Sequence, residues 1–106
     1  MTYFLLVDAF NKKSDLDASI RFFSERLLMN PDETNAWMFR GFTYYKQDKF
    51  DEAIRDLNKA IELDPENADM HWLRAEVLHK KGDLRVASDE YDEAIRLYKE
   101  NPELYK

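Results

Sequence analysis

Cysteine is absent from the 106 residues, which excludes a disulfide framework, an iron–sulfur cluster and every zinc site built on thiolates. The same absence is consistent with a reducing compartment. Glycine and proline are scarce, at 2 and 3. A many-turned all-β chain needs both at its reversals, so helices are favoured. Basic charge is in deficit: 16 Lys and Arg against 22 Asp and Glu give a net charge of −6. A nucleic-acid footprint requires a clustered excess of basic side chains, and the longest basic runs are the pairs Lys12-Lys13 and Lys80-Lys81. Long apolar runs are missing too. The most apolar stretch, Tyr3-Phe4-Leu5-Leu6-Val7, is closed by Asp8 and follows no basic residue. A spanning helix needs about 20 apolar residues, and the apolar stretch of a signal peptide is longer and preceded by positive charge. The sequence reads as a soluble, cytoplasmic chain with neither a nucleic-acid nor a membrane partner.

What the chain does have is apolar material and periodicity. Hydrophobic residues make up 44% and include 15 aromatics, enough for one folded domain and too much for intrinsic disorder. Displaced by 34 residues, the sequence matches itself. Arg40, Lys46, Ala53, Ala60, Ile61, Leu63, Glu66 and Asn67 fall on Arg74, Lys80, Ala87, Ala94, Ile95, Leu97, Glu100 and Asn101. Chance would give roughly two such identities. A further displacement lays Lys12, Asp17, Ile20, Arg21 and Pro31 over Lys46, Asp51, Ile54, Arg55 and Pro65. The chain divides into units at approximately 1–33, 34–67 and 68–101, with a short tail 102–106, and leaves nothing for a second domain.

Within the second unit, apolar residues recur at Trp37, Gly41, Tyr44 and Tyr45, then at Phe50, Ala53, Ile54, Leu57, Ala60 and Ile61. This three-and-four spacing predicts two amphipathic helices. Asp48 reads as an N-cap for the second of them, with Asp51 and Glu52 in its first turn, where helix N–H groups favour negative charge. Ser14 with Asp15 and Asp17, and Gly82-Asp83, repeat the arrangement in the flanking units. Asn30-Pro31 and Asp64-Pro65 stop the second helices, because a residue before proline is pushed out of the helical region. The pairs Gly41/Ala75, Ala53/Ala87 and Ala60/Ala94 are small residues in equivalent places, and they allow antiparallel helices to approach closely.

Trp37-x-x-Arg40-Gly41-x-x-Tyr44, then Ala53, Leu57, Ala60 and Pro65, resembles the tetratricopeptide repeat. Arg40 and Leu57 stand where that pattern has Leu and Phe. The flanking units match more loosely, through His71, Ala75, Ala87, Tyr91 and Ala94 on one side and Tyr3, Phe10, Ser19, Phe23 and Pro31 on the other. The resemblance implies an all-α, right-handed solenoid of three helix pairs whose first helices line a concave, peptide-binding groove. The groove columns would hold Phe4, Met38 and Trp72; then Asp8, Phe42 and Glu76; then Asn11, Tyr45 and His79. A subgroup of the family clamps acidic chaperone tails with Lys, Asn and Arg in the first two columns, and this chain has none of these there.

Chemistry has little foothold in the sequence. His71 and His79 are eight apart, about 12 Å along a helix, too far for one metal ion. His71 falls in the column of Trp37 and reads as a packing substitution. The Asp51-Glu52 and Asp89-Glu90 pairs belong to solvated helix faces. Lys12, Lys46 and Lys80 read as cations at helix C-termini, with a row along a groove edge that captures an acidic ligand as the alternative. The chain is therefore expected to be no enzyme and to carry no cofactor. It is expected to be an interaction module that takes an apolar and basic segment on Phe42, Tyr45 and Trp72, beside Asp8 and Glu76. Self-assembly and service as an accessory domain of a larger protein are the alternatives. The last helix carries more apolar residues than one stripe can bury, which predicts a homodimer through Tyr91, Ile95 and Tyr98.

Overall fold

The computed structural model describes residues 13–105, and these residues form five helices without a strand among them. In order they are α1 (Lys13–Met29), α2 (Thr34–Lys46), α3 (Phe50–Leu63), α4 (Ala68–Lys81) and α5 (Leu84–Glu100), followed by a single 3-10 turn at Pro102–Tyr105. Each helix packs on the next along the chain, as in a solenoid, where a unit touches only its neighbours. The helix starts Thr34 and Ala68, and again Phe50 and Leu84, are 34 residues apart, so the sequence period is also the structural one.

The small residues lie where the helices meet. Ala53, Ala60, Ala75, Ala87 and Ala94 are all buried. A Cβ on Gly41 would stand 3.1 Å from Leu57 Cγ and 3.2 Å from the Ala53 carbonyl oxygen. Those separations are tighter than ordinary packing, so α2 rests on α3 backbone to side chain. Phe23 and Leu27 of α1, Phe39 of α2, Leu57 and Ile61 of α3, and Leu73 and Val77 of α4 form one continuous core across the units. Full burial of a side chain such as Leu57 stabilises the fold by about 1.5–3 kcal/mol.

The helix ends confirm some expectations and correct others. α1 and α3 stop at Met29 and Leu63, directly before the Asn-Pro and Asp-Pro pairs. Gly82 ends α4 in the left-handed conformation at φ 102°. Asp48, expected to cap α3, instead holds the same place as Gly82, at φ 60°. Its N–H donates to the Tyr45 carbonyl at 3.0 Å and the Lys49 N–H to the Tyr44 carbonyl at 2.9 Å. This is the paired bonding that satisfies the last carbonyls of a helix, so Asp48 closes α2 and Lys49 takes the N-cap of α3. Ser14 likewise lies inside α1 instead of ahead of it. Asn67 is the one residue whose side chain caps a helix start among the described residues, accepting from the Met70 N–H at 3.3 Å.

α5 runs 17 residues against 14 for α3, and the proline after it is Pro102, three residues later than the column of Pro31 and Pro65. Tyr98, expected to help pair two copies, does not protrude from the end of α5. It is half-buried, and its hydroxyl donates to Asp69 Oδ1 at 2.6 Å, which draws the end of α5 onto the start of α4.

Candidate functional site

Two features stand out on the first helices of the units: a buried polar clasp and a patch of half-exposed rings. The clasp is repeated. Arg40 of α2 donates through Nε and Nη2 to both oxygens of Asp56 on α3, at 2.8 Å each, and through Nη1 to Ser24 Oγ on α1 at 3.1 Å. Thirty-four residues later, Arg74 donates to both oxygens of Glu90 at 2.9 and 2.6 Å, and to Asn58 Oδ1 at 3.0 Å. Each arginine thus joins its own second helix to the preceding unit's second helix. Two-pronged arginine–carboxylate pairing fixes orientation as well as charge. The Asp56 hydrogen bond holds the Arg40 pKa above its usual value against the opposing effect of burial. The Arg40 guanidinium also lies 5.1 Å from the Trp37 ring centre and 5.9 Å from that of Tyr44.

His71 does replace Trp37, and it does so in bonding as well as in packing. Trp37 Nε1–H donates to the Pro31 carbonyl at 2.8 Å, while His71 Nε2 meets the Pro65 carbonyl at the same distance. Its Nδ1 lies 3.2 Å from Glu90 Oε2. His79 stands exposed on the last turn of α4. Lys46 and Lys80 sit in the last turns of α2 and α4, where a cation offsets the helix dipole. Among the described residues no cluster of His, Asp and Glu is arranged to hold a metal ion.

The ring patch runs from α2 to α5. Phe42 and Tyr45 stack at 6.1 Å between ring centres, and the Lys46 ammonium lies 5.8 Å from the Phe42 ring. On α4, Trp72 meets Tyr91 of α5 edge-on at 4.7 Å, and the Tyr91 hydroxyl donates to Glu76 Oε1 at 2.9 Å. Burial, then the hydrogen bond to Glu76, pushes the Tyr91 hydroxyl up to about 12. Burial and the Glu76 carboxylate also raise that of Tyr45, which places Tyr45, Glu76 and Tyr91 in one electrostatic neighbourhood.

The groove columns are therefore only partly open. Phe42, Tyr45 and Glu76 are half-buried, and Trp72 and His79 are exposed. Met38 does not belong with them: it is 3% exposed and lies in the continuous core. Phe4, Asp8 and Asn11 lie outside the described residues.

Two family models match this sequence: one described as TPR repeat over residues 41–82, the other as tetratricopeptide repeat over residues 68–101. The chain belongs to the tetratricopeptide repeat (TPR) family. Among solved structures it resembles MamA from Desulfovibrio magneticus RS-1, with a TM-score of 0.77 and 19% identity over 80% of this chain and 48% of that one. MamA of MSR-1 is similar at 0.80 and 20%, over 93% and 57% of the two chains. The Yersinia enterocolitica type III secretion translocator chaperone SycD gives 0.81 and 18%, over 96% and 77%. This chain spans about half the length of the MamA chains it matches, and at these identities the likeness concerns the fold alone. No curated protein matches the sequence.

As a TPR domain the chain is a protein-interaction module. No helix among the described residues is long and apolar enough to cross a membrane. The clasp is what sequence reasoning missed. Its signal was present, since an acid follows each repeated arginine by 16 residues, Asp56 after Arg40 and Glu90 after Arg74. Tyr91, one of the residues expected to mediate self-association, is half-buried, with its ring against Trp72 and its hydroxyl on Glu76.

Proposed function

We propose that this TPR domain is a non-catalytic, cytoplasmic binding module that takes an extended protein segment across α2 and α4, with Trp72 as the principal anchor. The observation that carries the reading is the contrast between Met38 and Trp72. The two share a column, yet Met38 is 3% exposed and Trp72 is 40% exposed. A large amphipathic ring in the open, held at a fixed angle by Tyr91, is a common kind of binding anchor. Glu76 lies beside it and, with the deficit of basic charge, favours a ligand that pairs an apolar side chain with Lys or Arg. Phe42 and Tyr45 extend the apolar track along α2.

Peptides selected from a random displayed library on the immobilised domain test this. Enriched sequences should join an aromatic or aliphatic residue to a basic one. Trp72→Ala combined with Tyr45→Ala should lower their affinity at least tenfold while circular dichroism shows the helices retained. Glu76→Gln should reduce the preference for basic residues. Unchanged binding by the folded double variant would dispose of the proposal.

A further inference from the structure

The face of the α2–α3 unit that looks toward α4 is covered, and Ile61 on it is 8% exposed with Leu57 fully buried. The same columns of the α4–α5 unit hold Ile95 and Tyr91. Among the described residues no further α-helix packs on α5, so Ile95 is 42% exposed and Tyr91 only half-buried. Leu84, in the column of Phe50, is exposed as well. Along α5 this face reads Leu84, Ser88, Tyr91, Ile95 and Tyr98, with successive steps of four, three, four and three residues. Such a seam is the kind two helices share.

We propose that a second copy of this chain covers the seam, with the two α5 helices antiparallel about a two-fold axis. The pattern is complementary to its own reversal. Antiparallel layering sets Leu84 against Ile95 of the second copy and Ser88 against Tyr91 of the second copy, so a small side chain faces a large one in both central layers. The same register sets Arg85 beside Asp92 of the second copy, twice by symmetry. Both residues are exposed, and neither has an ion pair among the described residues. By contrast, Glu90, Glu93, Arg96 and Glu100 of the same helix are all engaged within the chain. Matching charges at the flanks select one partner and one orientation. One helix face with a handful of side chains is a small interface beside the roughly 800 Å² per partner of a stable complex, so the dimer is weak.

Sedimentation of the full chain over a range from about 5 μM to 1 mM requires no groove ligand and so is independent of the peptide-binding reading. A monomer–dimer equilibrium is expected. Ile95→Glu should abolish it, and Arg85→Glu or Asp92→Arg alone should each weaken it at least tenfold by setting like charges together twice. An equimolar mixture of the two charge-reversed variants should recover dimers, because each mixed pair regains two opposite-charge contacts. Circular dichroism would verify that these surface variants stay folded. The proposal is overturned by a monomer at every concentration or by growth beyond the dimer, as head-to-tail stacking would give. It is equally overturned by a dimer indifferent to the single reversals, or by a mixture that fails to recover.

Discussion

Breaking the Arg40–Asp56 pair should cost far more from either side than removing it whole. Asp56 is 3% exposed, and its two oxygens accept only from Arg40 among the hydrogen bonds described. The Arg40 side chain is 19% exposed, and an arginine cannot neutralise itself at accessible pH. Removing one member of such a pair leaves a desolvated charge, at a cost of about 3–5 kcal/mol. Arg40→Leu strands the buried carboxylate and should fall in that range. Asp56→Ala should cost less, about 2–3 kcal/mol, because Arg40 keeps Ser24 and the faces of Trp37 and Tyr44. The double variant Arg40→Leu/Asp56→Ala removes both charges and restores the leucine that the TPR pattern has at that position. It should lie within about 1.5 kcal/mol of the parent, since replacing a buried pair by apolar groups is often neutral.

Urea titration followed by circular dichroism measures all four proteins. With a slope of about 1–3 kcal/mol per molar, the single variants should lose one to several molar from the midpoint and the double variant much less. The coupling energy should exceed about 2 kcal/mol, at the upper end of what contacting residues show. Additive losses, within about 0.5 kcal/mol, would mean that the clasp is two independent side chains and that the reasoning is wrong.

Two further predictions concern the turns and the ring patch. Asp48 holds φ 60°, a conformation that costs a non-glycine residue roughly 1–2 kcal/mol, so Asp48→Gly should raise stability by up to about 1 kcal/mol after the extra chain entropy of glycine. Gly82→Ala should lower it by a similar amount, and the reverse order in urea titrations would contradict the assignment of both turns. Tyr91 is held near 12 in the folded chain against about 10 when unfolded. Its stabilising share is therefore complete below pH 10 and is lost as the pH rises toward 12. Absorbance at 295 nm should show late tyrosine ionisation, with Tyr91 and Tyr45 both raised. Glu76→Gln should bring part of it to lower pH, and a titration unmoved by Glu76→Gln would refute the Glu76 contact.

The helix pairs of the second and third units, the period and the stop signals were legible in the sequence because they are local. Three-and-four spacing of apolar residues, proline after Asn30 and Asp64, and glycine at 82 act within a turn or two of chain, and the structure reproduces each one. The small-residue columns were legible as well, because recurrence at 34 residues carries a packing constraint from one unit to the next. Three matters were decided only in three dimensions. Asp48 and Gly82 share a column without sharing a residue type, and backbone geometry alone shows that both close a helix. Arg40 and Asp56 lie on separate helices, so only helix packing reveals that a departure from the family pattern at Arg40 is answered by a buried carboxylate. Met38 and Trp72 occupy equivalent positions and face the same way. Which of the two belongs to the core and which to the surface is decided by their surroundings in space: Met38 packs into the buried cluster that joins α1 to α4, whereas Trp72 stays 40% exposed against the edge of Tyr91.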